Sequence, residues 1–128
     1  MTSKNATQKL YHLKEIATEH LREKKYNEAA IYFKDILERF QSSISEITSE
    51  DEMEQLIREL ELSSHKNLSL CYVKTGKYLT CLEQCKTILE IEPNNVKILF
   101  RIGLAQLRLD MLSEAEKNLK KAFYLDPQ

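Results

Sequence analysis

NNVKILFRIGLAQLRLDMLSEAEKNLKKAFYLDPQ, residues 94–128, decides the fold. Leu99, Ile102, Gly103 and Gln106 recur at i, i+3, i+4 and i+7, the spacing of one helix face. Ala115, Leu119, Ala122 and Phe123 follow the same spacing further on. Two amphipathic helices facing each other are expected. Small Gly103 and Ala115 stand where the helices approach, and Pro127 closes the unit.

The unit recurs upstream. One constant step carries Pro127 to Pro93, Ile102 to Leu68, Gly103 to Ser69, Gln106 to Tyr72 and Ala115 to Cys81. A third copy needs a longer step, which carries Tyr78 to Tyr26 and lays KKYNEAA over GKYLTCL. The longer step is one period plus a surplus, and the surplus falls between Phe40 and Ser64. Leu13, Ile16, Ala17, Ala29, Phe33 and Ile36 then fill the repeat positions of the first copy. The reading is a frayed stretch 1–6 followed by one domain, 7–128. Within it lie repeat 1 (about 10–43), a helix-extending insertion (about 41–60), repeat 2 (about 62–95) and repeat 3 (about 96–128).

Composition agrees with an all-α chain. There are 128 residues, 42% apolar and 30% charged, with only two Gly and two Pro to interrupt helices. No apolar run is long enough to cross a membrane. The amino-terminal MTSKNATQKL lacks the apolar core of a signal peptide, so a soluble cytoplasmic protein is expected. A net charge of −1 argues against nucleic acid as a partner.

Six helices and no sheet are predicted. Asn27 is expected to cap the second helix. Ser49-Glu-Asp-Glu52 and Ser113-Glu-Ala-Glu116 fit capping boxes, and Gly76 is placed to end a helix. Lys25 and Tyr26 are expected in the first turn. Leu68, Tyr72, Ile88, Leu99, Ile102, Ala115 and Leu119 are the predicted core. Stacked pairs form a short right-handed superhelix, with the first helix of each pair lining the concave side.

Chemistry-bearing residues divide into two groups. Cys71, Cys81 and Cys85 match no zinc spacing and fall at small or apolar repeat positions, where free cysteine packs as a hydrophobe. His20 and His65 fall at aromatic repeat positions, and His12 on an exposed one. No nucleophile is paired with a base, so no catalysis, metal or cofactor is expected. The second group is cationic and polar. Lys97 and Arg101 are i and i+4 on one helix face, as are Lys14 and Thr18 on the first helix. Asn67 stands one period before Arg101, and Lys74 lies two turns past it. These donors are expected to converge in the groove and attract carboxylates. Lys117, Lys120 and Lys121 are expected in solvent.

The helix pair and its period resemble the tetratricopeptide repeat (TPR), a 34-residue helix–turn–helix. Lys14-Glu-Ile-Ala-Thr18, Asn67 in HKNLSLCY and Lys97-Ile-Leu-Phe-Arg101 further resemble the two-carboxylate clamp of co-chaperone TPR domains. Four of the five clamp positions match. Thr18 stands for the family's Asn, as in FKBP-type immunophilins, and the long connector is similar to that branch and to cyclophilin-40. The resemblance implies binding of the Glu-Glu-Val-Asp carboxyl terminus of the 90-kDa or 70-kDa heat-shock chaperones, with Phe100 and Leu104 receiving the peptide's Val. It implies no catalysis within this chain. The alternative is a TPR scaffold whose partner docks on apolar surface, the clamp residues merely solvated. Phe123 and Tyr124 are expected to face water, which suggests a fragment of a longer protein or self-association through the last helix.

Overall fold

The structure is a computed structural model that describes residues 2–127, with side chains from residue 5 onward. Its elements are α1 (Thr2–Arg22), α2 (Tyr26–Ser43), a 3-10 turn (Ile44–Glu46), α3 (Glu50–Leu56), a π-helical segment (Ile57–Leu62), α4 (Ser63–Lys74), α5 (Tyr78–Ile91), α6 (Val96–Arg108) and α7 (Leu112–Leu125). α3, the π segment and α4 run on without a break and make one long rod. Six rods result, and among the described residues there is no strand. Each packs on the next: α1 on α2, α2 on α4, α4 on α5, α5 on α6, α6 on α7. The apolar face that one helix pair cannot hide is covered by the following pair.

The turns inside the three pairs share one backbone geometry. Lys24 (φ 61°), Gly76 (φ 77°) and Asp110 (φ 59°) all take the left-handed conformation. In each turn the next amide donates to the carbonyl five positions back: Lys25 to His20 at 2.9 Å, Lys77 to Tyr72 at 2.8 Å, Met111 to Gln106 at 2.9 Å. This is the six-to-one bond of a Schellman stop. Lys24 to Gly76 is the longer of the two steps read from the side-chain pattern, and Gly76 to Asp110 is the shorter.

That geometry corrects two capping expectations. α2 starts at Tyr26 after Lys25, with no side-chain cap, so Asn27 lies inside the helix and the turn is one residue earlier than predicted. α7 starts at Leu112 after Met111, again without a side-chain cap, so Ser113 does not begin a capping box. A left-handed residue followed by one with φ near −90° and ψ near 70° sets the helix start directly and leaves the predicted caps two residues too far in. Where the entry is not a Schellman turn, capping does occur. Ser49 Oγ accepts the Glu52 amide at 3.2 Å, as expected, and Asn95 Oδ1 accepts the Ile98 amide at 3.1 Å. The expected fraying of 1–6 falls partly on Met1, which lies outside the described residues; from Thr2 the backbone is helical.

The insertion lengthens helices. α2 has 18 residues where α5 and α7 have 14, and the third rod gains α3 and the π segment ahead of α4. The core runs along the array: Leu13 and Ala17, then Phe33, Ile36 and Phe40, then Leu60 and Leu68, then Cys85 and Ile88, then Leu99 and Ile102. Each large side chain so buried contributes about 1.5–3 kcal/mol before entropy is counted. Of the predicted core, Leu68, Tyr72, Ile88, Leu99, Ile102 and Ala115 are buried. Leu119 is only half-buried, because among the described residues no rod follows α7. Gln106, at the aromatic position, is buried and accepts Asn118 Nδ2 at 3.0 Å, which satisfies its carbonyl. Phe123 and Tyr124 are exposed.

Candidate functional site

The first rods of the three pairs, α1, α3–α4 and α6, carry all the predicted site residues. Lys14 and Thr18 sit on α1, both half-buried, in a depression of about 440 Å³ shared with Tyr11, Glu15, Glu19 and Arg22. Lys14 Nζ reaches across to α1's neighbour and donates to the main-chain oxygen of Glu59 at 2.8 Å. Glu59 belongs to the π segment, whose longer bonding step widens the helix there. Its carboxylate accepts the Tyr11 hydroxyl at 2.7 Å and Gln55 Nε2 at 3.3 Å. The Tyr11 bond, then Gln55, then the charges of Lys14 and Arg58 hold the Glu59 carboxyl below its usual range. Burial, then the bond to Glu59, pushes the Tyr11 phenol up to about 12.

Arg101 makes the second bridge between first rods. Its Nη1 donates to Ser69 Oγ at 2.8 Å and to the Lys66 carbonyl at 3.3 Å, both on α4. Asn67 lies between those two residues in sequence and is half-buried. Lys66 Nζ itself pairs with Glu92 at 3.0 Å, at the end of α5. Lys97 is exposed one turn before Arg101, and Lys74 is exposed in the last turn of α4. Phe100 and Leu104 are 51% and 40% exposed on α6.

Lys14 and Thr18 therefore share one depression, and Lys14 and Arg101 each tie one first rod to the next. No hydrogen bond joins Lys14, Asn67, Lys97 and Arg101 to one another among the described residues. Such a set of donors is chemically suited to accept oxygen ligands. Sequence reasoning missed Tyr11, Glu59 and Ser69. Ser69 was visible as the small residue in register with Gly103. Nothing in the sequence marks the π segment that brings Glu59 to α1.

The cysteines and two of the histidines are absorbed by packing. Cys71, Cys81 and Cys85 are all buried, and burial pushes the Cys71 thiol up to about 11. Cys81 and Cys85 place their sulfurs 4.0 Å apart. His20 stacks on Tyr32 with ring centroids 5.3 Å apart, and His65 Nδ1 lies 2.6 Å from Gln84 Oε1. His12 is exposed. No three His, Cys, Asp or Glu side chains among the described residues cluster to hold a metal.

Comparison with known proteins agrees with the fold. The tetratricopeptide repeat family model matches residues 96–128. Bovine peptidyl-prolyl cis-trans isomerase FKBP4 is 32% identical over 129 residues, covering 99% of this chain and 27% of that protein. Human FKBP4 is 33% identical over 117 residues, 90% of this chain and 24% of that protein. The chain thus spans about a quarter of the length of these relatives. Among solved structures, the C-terminal TPR-containing domain of an FK506-binding protein from Plasmodium falciparum superposes with a TM-score of 0.87 and 30% identity, covering all (100%) of this chain and 83% of that one. The first TPR domain of Spaghetti (RPAP3), solved with the HSP90 peptide SRMEEVD, superposes with a TM-score of 0.70 over 94% of this chain and 82% of that one. At 20% identity this last likeness is one of fold. The repeated helix pairs, a 30%-identical TPR-containing domain covered over 83% of its length and the FKBP4 alignment agree, and the chain belongs to the tetratricopeptide repeat domains, similar to those of FK506-binding proteins.

Proposed function

We propose that this domain binds the acidic carboxyl terminus of a heat-shock protein 90 or 70 chaperone, of the Glu-Glu-Val-Asp type, in the cytoplasm. Lys14, Asn67, Lys97 and Arg101 share the main-chain carboxylate and the terminal Asp side chain. Thr18 and Lys74 flank them, and Phe100 and Leu104 take the peptide's Val. The observation that carries this reading is the line of donors on three consecutive first rods, beside exposed Phe100 and Leu104. The fold shared with a TPR domain solved on an HSP90 peptide supports it. Charge-assisted hydrogen bonds contribute about 1.5–3 kcal/mol each. Ordering a flexible tail offsets much of that, so roughly micromolar affinity is expected. Added salt weakens binding, because the cations are partly solvated.

A second reading rests on the last rod. Leu112, Phe123 and Tyr124 are 62%, 65% and 83% exposed. They offer apolar surface for a protein partner or for self-association. A scaffold of that kind does not need a free carboxylate. Titration with a tail peptide as free acid and as carboxyl amide separates the two. The clamp requires the amide to bind much more weakly; equal affinity leaves only the scaffold.

A further inference from the structure

We propose that Ser69 is a positioning residue for Arg101: it fixes the guanidinium so that one edge stays aimed at a bound carboxylate. The proposal rests on the clamp reading above and deepens it.

Ser69 occupies the repeat position that Gly103 holds in the next copy, one period on. A hydroxyl at that place is not needed for packing, since a glycine suffices in α6. Ser69 is completely buried, with 0% exposure. Its own hydrogen is committed to the Lys66 carbonyl at 2.7 Å. The oxygen therefore turns its lone pairs outward as an acceptor, and Arg101 Nη1 donates to it at 2.8 Å. The same Nη1 also reaches the Lys66 carbonyl at 3.3 Å, so that nitrogen has two acceptors on α4.

A guanidinium is a rigid plane with two usable edges. Holding Nη1 on α4 leaves the opposite edge, Nε and Nη2, as a parallel pair of donors. That pair matches a carboxylate bidentately. A free arginine would lose its side-chain rotamer freedom on binding. An arginine already fixed by Ser69 has lost much of it on folding, which is preorganisation. Lys97, exposed one turn earlier, has no such anchor among the described residues and acts as a mobile charge.

The experiment is a double-mutant cycle of Ser69→Ala and Arg101→Ala, read by calorimetric titration with a free-acid Glu-Glu-Val-Asp peptide and its amide. Alanine suits this small buried helical position, and circular dichroism melts confirm folding of each variant. Ser69→Ala is expected to weaken free-acid binding about three- to tenfold. In the Arg101→Ala background it is expected to change affinity less than about twofold. A purely structural role would produce the same loss in both backgrounds, which overturns the proposal. So does an unchanged affinity for the free acid in Ser69→Ala. If the wild type itself fails to prefer the free acid, the clamp reading falls, and the proposal falls with it.

Discussion

Gly103 on α6 faces Leu119 on α7 so closely that a Cβ added to Gly103 would lie 2.5 Å from both Leu119 Cγ and Cδ2. Sequence patterning pairs Gly103 with Ala115, both small; the residue that fills the space left by the glycine is Leu119. Gly103→Ala is therefore a contest. Alanine gains about 1 kcal/mol of helix propensity. Overpacking costs about 1–3 kcal/mol, because Cγ sits on the rigid part of the leucine and the whole side chain must move. A net loss of about 1 kcal/mol in urea unfolding is expected. Adding Leu119→Ala removes the clash, so the double variant should be more stable than the sum of the singles. Strict additivity would show that the two residues do not meet in solution.

The three Schellman turns differ in sequence where they agree in shape. Gly76 takes its positive φ without strain, while Lys24 and Asp110 carry a Cβ into the same region. Asp tolerates that conformation better than Lys. The left-handed conformation costs a residue with a Cβ about 1–2 kcal/mol, and glycine's looser unfolded chain offsets part of the relief. Lys24→Gly should therefore raise the thermal midpoint, by several degrees for a gain of about 1 kcal/mol. Asp110→Gly should raise it less. A fall in stability for Lys24→Gly would show that its side chain makes a contribution the backbone geometry does not reveal.

The fold was legible because its period was. Tyr26 to Tyr78 and Pro93 to Pro127 fixed the steps, and the steps placed every rod within a few residues. Caps failed at Asn27 and Ser113 because the Schellman turn ahead of each helix sets its start through the backbone, which side-chain lettering does not record. The π segment was illegible for a similar reason: IRELEL reads as any amphipathic turn, and only the backbone bonding step sets it apart. Asn67 and Arg101 were expected as register positions one period apart, and Lys14 as the i, i+4 companion of Thr18. What holds them was not: Lys14 meets a main-chain oxygen, and Arg101 a serine whose only mark in the sequence was small size.

Tyr11 and Glu59 give the array a pH dependence whose sign can be worked out. The folded Glu59 carboxyl titrates below its ordinary 4.5. Its contribution to stability is present above that value and is lost as pH falls through the lower folded value. The Tyr11 phenol is raised from 10.0 to about 12, so its contribution is present below 10.0 and lost as pH rises toward 12. Tyr11→Phe should return the Glu59 titration, followed by carboxyl-carbon NMR, toward 4.5 and reduce the acid-side loss of stability. An unmoved Glu59 titration would mean the 2.7 Å bond is not kept in solution.

Lys97 and Arg101 should separate when each is changed to alanine. Both are proposed to hold the carboxylates, so each change should cut affinity for a free-acid tail at least about tenfold, or about 1.4 kcal/mol. Their folded-state partners differ. Lys97 is exposed, so Lys97→Ala should leave the urea midpoint unchanged within about 0.5 kcal/mol. Arg101 bonds Ser69 and the Lys66 carbonyl across α4 and α6, so Arg101→Ala should also destabilise the array by about 1 kcal/mol. Lys120 is the control: its side chain is 77% exposed and faces Glu116 at 3.8 Å on α7. An exposed pair of that kind contributes about 0.3–0.5 kcal/mol and lies on an outer helix. Titrating the three variants against one peptide, with urea melts alongside, decides the matter. If Lys97→Ala binds no more weakly than Lys120→Ala, the cations of the groove are ordinary solvated charges and the carboxylate clamp is not how this domain holds its partner.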